Sequence, residues 1–190
     1  LIGQLAASGT VRLPGSRRIR VAILSTGDEV VAAGSSATSG QIFDANRPML
    51  KAMLQHNHID LIDCGIVPDN KDALADAYEQ ALQGADVVIS SGGASDGIED
   101  HTQNAMLQIG AECVFWRLAM KPGRPMAVGR RGKELIFCLP GNPVAAFVCT
   151  RLLILPLLGR ASGGVWQPAL KIGVPAGFTH RKKPGRAEFL

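Results

Sequence analysis

Four acidic residues stand at the ends of the first three apolar runs that have the pattern of buried strands. They are Asp28 and Glu29 after the first run, Asp69 after the second and Asp100 after the third. Parallel strands share one sheet edge at their carboxyl ends, where α/β proteins bind ligands. Carboxylates gathered there repel one another unless Mg²⁺, a water to be activated or a group of Lys and Arg offsets them. We predict a divalent-ion requirement carried by Asp69 and Asp100; the alternative is that each acid caps a helix or closes a turn.

A second group of candidate residues lies in the basic loop Met120–Pro125. Two prolines and a glycine restrict the backbone around Lys121 and Arg124, so two cations are held in place, as an anion site requires. The alternative is a stiff, solvated loop that binds nothing.

Two further loops combine small residues with helix-capping residues. They are Ser91, Gly92, Gly93 and Ser95 after the third strand, and Pro140, Asn142 and Pro143 before a long apolar helix. Backbone N–H groups and hydroxyls in such loops face bound anions in many proteins. A glycine turn and a helix cap would explain the two loops equally well without a ligand.

Strand-like and helix-like segments alternate between residues 19 and 158. The predicted strands span 19–25, 59–67, 87–90 and 113–118, and a hairpin over 126–139 is expected at one sheet edge. The predicted helices are a short one begun by the N-cap Asn46, an amphipathic one over 74–82, one over 102–108 and one from 144 to 158 that is expected to be buried. This alternation predicts an α/β fold, a three-layer α/β/α domain with a mostly parallel sheet.

Composition and charge narrow the function classes. Lys and Arg number 20 against 16 Asp and Glu, and the whole excess lies in residues 171–190. With one Tyr, two Trp and no basic stripe interleaved with aromatic residues, the chain is not expected to bind nucleic acid. No uncharged apolar run reaches the ~18 residues of a membrane span, so no membrane partner is predicted. The four cysteines lack metal-site spacing and are expected to be reduced and buried, as in a cytoplasmic protein, and none of the four histidines is assigned a role.

Four segments of the chain, taken in order, resemble the molybdopterin molybdenumtransferase family. They are Ser25–Glu29, Ser90–Asp100, Met120–Pro125 and Leu139–Pro143. The resemblance covers about residues 19–160, which match the molybdopterin-binding α/β domain of that family, and extends weakly through 185–189 into its C-terminal domain. Residues 1–18 are then expected to be a linker from missing N-terminal domains. Residues 161–190 are expected to be a linker and the truncated start of a small C-terminal β domain, with a strand over 170–174.

The resemblance implies a cytoplasmic, homodimeric, Mg²⁺-dependent enzyme of molybdenum cofactor biosynthesis. Such an enzyme takes adenylylated molybdopterin and molybdate, cleaves the pyrophosphate bond, releases AMP and leaves molybdenum on the dithiolene. By position, Glu29, Asp69 and Asp100 match the family's functional acids, which would hold Mg²⁺ or position water. The anion-binding and loop residues implied in the same way are Lys121, Arg124, Arg117, Pro140, Pro143 and Arg186.

Two positions depart from the family pattern. Arg117 stands where many members carry Lys, and Ala145 stands where many carry Ser, which removes an anion-binding hydroxyl. Because the N-terminal domains of the family contribute to the active site across the dimer, this chain is expected to bind ligand without turnover.

Two alternative functions stay open at this point. One is the related molybdopterin adenylyltransferase, whose third-strand loop usually reads Gly-Gly-Thr-Gly, unlike Gly92–Ser95 here. The other is a non-catalytic ligand-binding or scaffold domain.

Overall fold

The computed structural model describes residues 1–92, 99–165, 167–168, 170–182 and 184–189, with the backbone alone at 99 and 100. In chain order the helices are α1 (Ile2–Ala7), α2 (Asn46–Met53), α3 (Lys71–Gly84), α4 (Glu99–Gln108), α5 (Pro143–Cys149) and α6 (Leu155–Ala161), with a π-helical turn over Thr150–Ile154 between the last two. The strands are β1 (Ile19–Thr26), β2 (Val30–Val31), β3 (Ile42–Phe43), β4 (Ile59–Val67), β5 (Val87–Ser91), β6 (Glu112–Trp116), β7 (Met120–Lys121), β8 (Ala127–Arg131), β9 (Glu134–Leu139) and β10 (Ala187–Glu188).

The central sheet is mostly parallel, as predicted. Within the described residues it has six strands in the order β4-β1-β5-β9-β8-β6. β1 pairs in parallel with β4 and β5, β5 pairs in parallel with β9, and β8 runs antiparallel to both β9 and β6. It follows that β8 alone opposes the common direction of this sheet.

The sheet separates two apolar layers, because successive side chains of a strand point to opposite faces. Val21 and Ile23 of β1 belong to the layer that contains α2, α5 and α6, whereas Ala22 and Leu24 belong to the layer of α3 and α4. The predicted three-layer α/β/α architecture is therefore confirmed.

The hairpin of β8 and β9 lies inside the sheet, so the prediction that it forms an edge is wrong. β6 pairs with β8 and takes the edge position. β8 is covered from the α4 side, since a Cβ atom on Gly129 would approach the Met106 sulfur to 2.5 Å. A strand with neighbours on both edges and a helix at its back belongs to the interior.

The last helical segment, Pro143–Ala161, is less buried than its composition suggested. Ala146, Cys149, Ile154 and Leu158 are fully buried, but Val144 is 62% exposed and Phe147 46%. Within the described residues this is the one helix long and apolar enough to cross a membrane, a criterion that core helices of soluble proteins also meet. Here its inner face packs on the sheet.

The predicted strand over residues 170–174 is also wrong. Residues 170–176 have no regular secondary structure, and Leu170, Ile172 and Val174 are all more than 70% exposed because no neighbouring strand covers them. Instead, β10 pairs in parallel with β7.

The cysteines are only partly as expected. All four are free thiols, and Cys138 and Cys149 are buried, but Cys64 and Cys113 are half-buried.

A network of ion pairs joins α2 to β4. The Arg47 guanidinium contacts Asp44 at 3.1 Å and Asp63 at 2.8 Å, and the Lys51 ammonium lies 2.9 Å from Asp63. Although partial burial acts in the opposite direction, hydrogen bonds from Lys51 and Arg47 lower the pKa of Asp63 to about 2. Because this pKa lies below the usual 3.8, the contribution of Asp63 to stability is complete above about pH 4 and is lost as the pH falls toward 2.

We expect Asp63→Asn to lower the free energy of unfolding at pH 7 by about 1 kcal/mol, a partly screened charge-assisted interaction. The matched control is Asp60→Asn on the same strand, because the ion pair of Asp60 with Arg18 is exposed at both side chains. Its expected loss is below about 0.5 kcal/mol. Urea unfolding at pH 7 and at steps down to pH 2 measures both; an Asp63→Asn loss that persists unchanged at pH 2 would contradict the assignment.

Candidate functional site

The loops that follow the parallel strands gather at one edge of the sheet. β1, β4, β5 and β9 point the same way, and β6 shares their direction because two antiparallel steps through β8 restore it. The predicted site residues in the turns after β1 and β4, in the basic loop after β6 and in the loop after β9 therefore lie at one edge. We call it the carboxyl edge.

A cleft opens at this edge between β1 and β5. After β1 the chain continues to β4 on one side, whereas after β5 it continues to the other half of the sheet. The loops that follow β1 and β5 therefore diverge at this point. Ligands bind at such points in other α/β sheets. The cleft has a volume of about 170 Å³. Its polar lining residues are Ser25, Thr26, Glu29, Asp44, Asn46 and Ser91, beside Gly92, Gly141 and Pro143.

Three buried polar atoms at the carboxyl edge lack a hydrogen-bond partner within the described part of the chain. They are Thr26 Oγ1, Asn46 Oδ1 and Asp69 Oδ1. Thr26 is 2% exposed and Asn46 7%, and both line the cleft. A buried polar group without a partner costs about 1–3 kcal/mol, so a ligand that donates hydrogen bonds to these oxygens would recover that free energy.

Asp69 is not a helix cap, so the alternative that it serves only to cap α3 is excluded. The N-cap of α3 is Asn70, whose Oδ1 accepts a hydrogen bond from the Ala73 N–H at 2.9 Å. The Asp69 backbone N–H donates to Asp28 Oδ1 at 3.0 Å, so the carboxylate of Asp28, and not that of Asp69, closes the turn.

The electrostatic surroundings of Asp69 disfavour its charged form. Burial raises the pKa of the Asp69 carboxyl group and the charges of Asp28 and Glu29 raise it further, while His101 acts in the opposite direction. Acidic residues from two loops thus influence one another here, as the strand pattern suggested. His101, which the sequence analysis left without a role, belongs to the same cluster.

The predicted magnesium site stays a prediction. Among the described side chains, no group of three or more His, Cys, Asp or Glu residues could hold a metal ion. The side chain of Asp100, the second expected ligand, lies outside the described residues, as do Gly93 and Ser95. Asp69 contributes one buried, unpartnered carboxylate oxygen, a hard donor of the kind that Mg²⁺ prefers.

The basic loop after β6 presents its cations to solvent. Lys121 and Arg124 are exposed, and neither side chain has a hydrogen bond or ion pair within the described residues. The loop is seated on α5, since Gly123 has a φ of +104° and a Cβ there would come within 2.6 Å of the Cys149 sulfur. Arg117, at the start of the loop, has a left-handed backbone with a φ of 72°.

Arg186 is brought to the basic loop by strand pairing. β10 lies beside β7, with Glu188 opposite Lys121. Glu188 contacts Arg186 at 3.1 Å and His180 at 2.7 Å. The hydrogen bond from His180 is the main cause that lowers the pKa of Glu188 to about 2, with smaller contributions from Arg186 and Lys121. Glu188 thus offsets part of the positive charge of Arg186.

The remaining predicted residues fix the shape of the cleft. The hydroxyl oxygens of Ser91 and Ser25 are 3.3 Å apart and buried. Pro140 is also buried and follows β9 directly. Asn142 caps α5, since its Oδ1 accepts from the N–H groups of Val144 at 2.9 Å and Ala145 at 3.2 Å. Those N–H groups are therefore used by the cap.

Sequence reasoning missed the contribution of Asp44 and Asn46. Asn46 is the first residue of α2 and does not cap it; its Nδ2 donates to the Gly141 carbonyl at 2.9 Å. Asp44 is buried and accepts hydrogen bonds from Ser25 and Arg47. The available signal was the presence of two polar residues, Asp44 and Asn46, at the start of a helix that needs only one capping side chain.

Comparisons with known proteins agree on one family. The profile described as "Probable molybdopterin binding domain" matches residues 22–160. The molybdopterin molybdenumtransferase of Haemophilus influenzae is 38% identical over 186 residues, which cover 97% of this chain and 46% of that protein. The enzyme of the same name from Nostoc sp. is 38% identical over 88% of this chain and 39% of its own. The chain thus spans about half the length, or less, of these curated relatives.

Solved structures show the same likeness. The molybdopterin biosynthesis moea protein of Pyrococcus horikosii has a TM-score of 0.69 at 34% identity, covering 77% of this chain and 36% of its own. The molybdopterin biosynthesis enzyme MoaB of Thermus has a TM-score of 0.59 at 22% identity, over 78% of this chain and 99% of its own, and shares the fold.

Proposed function

Because this chain belongs to the molybdopterin molybdenumtransferase family, of which it spans the molybdopterin-binding domain, we propose that it binds adenylylated molybdopterin and molybdate for molybdenum insertion. In the proposed reaction the pyrophosphate bond of the nucleotide is cleaved and AMP is released. The cleft at the carboxyl edge, with its polar walls, is the proposed binding site for the substrate.

The observation that carries the proposal is the pair of unpartnered acceptors at the carboxyl edge, of which Asn46 lines the cleft. Asn46 Oδ1 and Asp69 Oδ1 are buried acceptors without a donor in the described chain, and a pterin ring offers N–H and NH₂ donors. Lys121 and Arg124 lie in the basic loop at the same edge and supply the donors that phosphate and molybdate oxygens need.

The chain's own residues can be given roles in the proposed cleavage. Lys121 and Arg124 would offset the negative charge that develops on the phosphoryl oxygens. The Asp69 carboxylate, whose Oδ1 has no partner among the described residues, would accept a proton from the attacking water. Alternatively, the same oxygen would hold Mg²⁺ instead of accepting the proton, and Mg²⁺ held there would supply charge neutralisation at the pyrophosphate.

Lys121→Ala tests the anion-binding half of this proposal. We expect the mutant to bind molybdate and AMP about tenfold or more weakly, since a hydrogen bond to a charged group contributes roughly 1.5–3 kcal/mol. Lys121→Arg is expected to recover only part, because a planar guanidinium does not reproduce the compact ammonium. Calorimetric titration of each ligand into the variants measures the change.

Lys133→Ala is the matched control for this experiment. Lys133 is exposed in the turn between β8 and β9, at the opposite edge of the sheet, and its removal subtracts the same charge. Equal affinities for both ligands in wild type and Lys121→Ala, or an equal loss in Lys133→Ala, would refute a specific role for Lys121.

Product analysis separates the proposed enzyme from its rivals. Incubation of the whole protein with adenylylated molybdopterin should release AMP in a molybdate-dependent manner. Consumption of ATP with molybdopterin would instead identify an adenylyltransferase. Ligand binding without either reaction would identify a non-catalytic domain.

A further inference from the structure

We propose a second anion site, distinct from the cleft, that binds a phosphate-bearing small molecule at the opposite edge of the sheet. The site is a pocket of about 300 Å³ between the segment before β4 and the last helical segment. Its residues with nitrogen-bearing side chains are His56, His58, Arg151, Arg160 and Gln167. We call it the amino-edge pocket. A volume near 300 Å³ is at the small end of the range for ligand sites.

The charge of the amino-edge pocket is not balanced by acidic groups of the described residues. Among the described residues, no Asp or Glu side chain lines it, and neither Arg151 nor Arg160 has an ion pair or a side-chain hydrogen bond. Other arginines near this edge do have partners within the described residues. The pairs are Arg17 with Asp86 at 2.6 Å, Arg18 with Asp60 at 3.1 Å and Arg20 with Asp86 at 3.4 Å. Two guanidinium groups facing one pocket without a carboxylate favour a bidentate oxyanion.

The two histidines add donors in a fixed arrangement. The rings of His56 and His58 stack, with centroids 5.4 Å apart and planes inclined by 26°. The segment that carries them is held by the hydrogen bond from the Ile59 N–H to the His56 carbonyl at 3.0 Å. Stacked imidazoles present ring N–H groups and an aromatic face beside the arginines, which suits a phosphorylated organic anion better than a metal ion.

One side of the amino-edge pocket is formed by the last helical segment, where a glycine leaves space for a ligand. Arg151, Leu155 and Gly159 are four residues apart and line it together, and a Cβ on Gly159 would meet no atom within 4 Å. Arg151 lies in the π-helical turn, a rare geometry that is often found at functional sites. The local cause is Pro156, which has no N–H for the carbonyl of Leu152. This side of the pocket ends just after the helix, where the Gly164 N–H donates a hydrogen bond to the Gly159 carbonyl at 2.9 Å.

Inorganic pyrophosphate is the probe for the test, with binding followed by the NMR signals of the histidine rings. We expect the His56 and His58 signals to shift saturably, independently of His101 at the carboxyl edge. Arg151→Gln/Arg160→Gln should weaken this binding about tenfold or more, whereas the charge-matched Arg12→Gln/Arg181→Gln should leave it within about twofold. Inorganic phosphate and AMP, titrated in parallel, show whether one phosphoryl group suffices.

Gly159→Leu is the second variant, because it fills the pocket and keeps every charge. Leu also favours a helix more than Gly does, so the variant is expected to fold. Loss of the His56 and His58 shifts in both this variant and the arginine double variant supports the site. Shifts that persist in Gly159→Leu, that fall equally in the control pair, or that occur at His101 alone would overturn it.

Discussion

Gly92→Ala is expected to lower the free energy of unfolding by about 2–5 kcal/mol and to abolish ligand binding in the cleft. Gly92 follows β5 directly and has a φ of +99°. A Cβ at this position would lie 2.0 Å from the Thr26 carbonyl oxygen and 3.1 Å from its carbonyl carbon. Because the obstacle is backbone of the adjacent strand, it cannot move aside without separating β1 from β5, whose ends form the cleft.

Gly65→Ala is the control that separates the clash from the backbone strain. Gly65 also has a positive φ, +77°, but a Cβ there meets no atom within 4 Å. Its expected loss is the strain alone, about 1–2 kcal/mol. Urea unfolding of both variants, with titration of AMP into each at a temperature where both are folded, measures the difference. Equal losses, with intact AMP binding in Gly92→Ala, would contradict the role given to this contact.

Asp69→Asn is expected to reduce AMP release by the whole enzyme about 100-fold or more while leaving the fold as stable as before, or more stable. The carboxylate oxygen is proposed as the proton acceptor or, alternatively, as the metal ligand, and an amide replaces neither function. The stability gain follows from the raised pKa of Asp69, because burial and two nearby acids make its charged form unfavourable in the folded chain. We expect a few tenths to about 1 kcal/mol at pH 7.

The stability gain expected for Asp69→Asn depends on pH. A carboxyl group whose pKa is raised by folding destabilises the native state fully at pH values above that raised pKa; the penalty declines below it and is gone below the ordinary value of 3.8. The gain from Asp69→Asn should therefore shrink as the pH falls through the raised pKa. Asp72→Asn, an exposed acid in the first turn of α3, is the control and should lose a few tenths of a kcal/mol through the helix dipole. Activity of Asp69→Asn within about twofold of wild type would exclude the catalytic assignment.

The elements of the fold and their layers follow from the sequence, because burial periodicity is a local property. The alternation of Val21 and Ile23 with Ala22 and Leu24 specifies a strand buried on both faces. The repeat from Leu74 to Leu82 specifies α3. Parallel strands then place the turn after β1, the turn after β4 and the basic loop at one edge, whatever the details of packing.

The chemistry within that edge was decided by contacts between residues far apart in sequence. Oδ1 of Asp69 is available to a ligand because Asn70 caps the helix and the Asp28 carboxylate closes the turn. By residue type alone, Asp69 and Asn70 are equally good N-caps, so the sequence does not decide between them. Asn46 lines the cleft because its amide reaches Gly141, which is 95 positions along the chain. Similarly, β10 joins Arg186 to the basic loop, and Arg151 lines the same pocket as His56 only because the last helical segment packs on the sheet. The type of a residue limits the interactions that its side chain can make. Which partner it contacts depends on the folded sheet, which brings residues that are far apart in sequence close together.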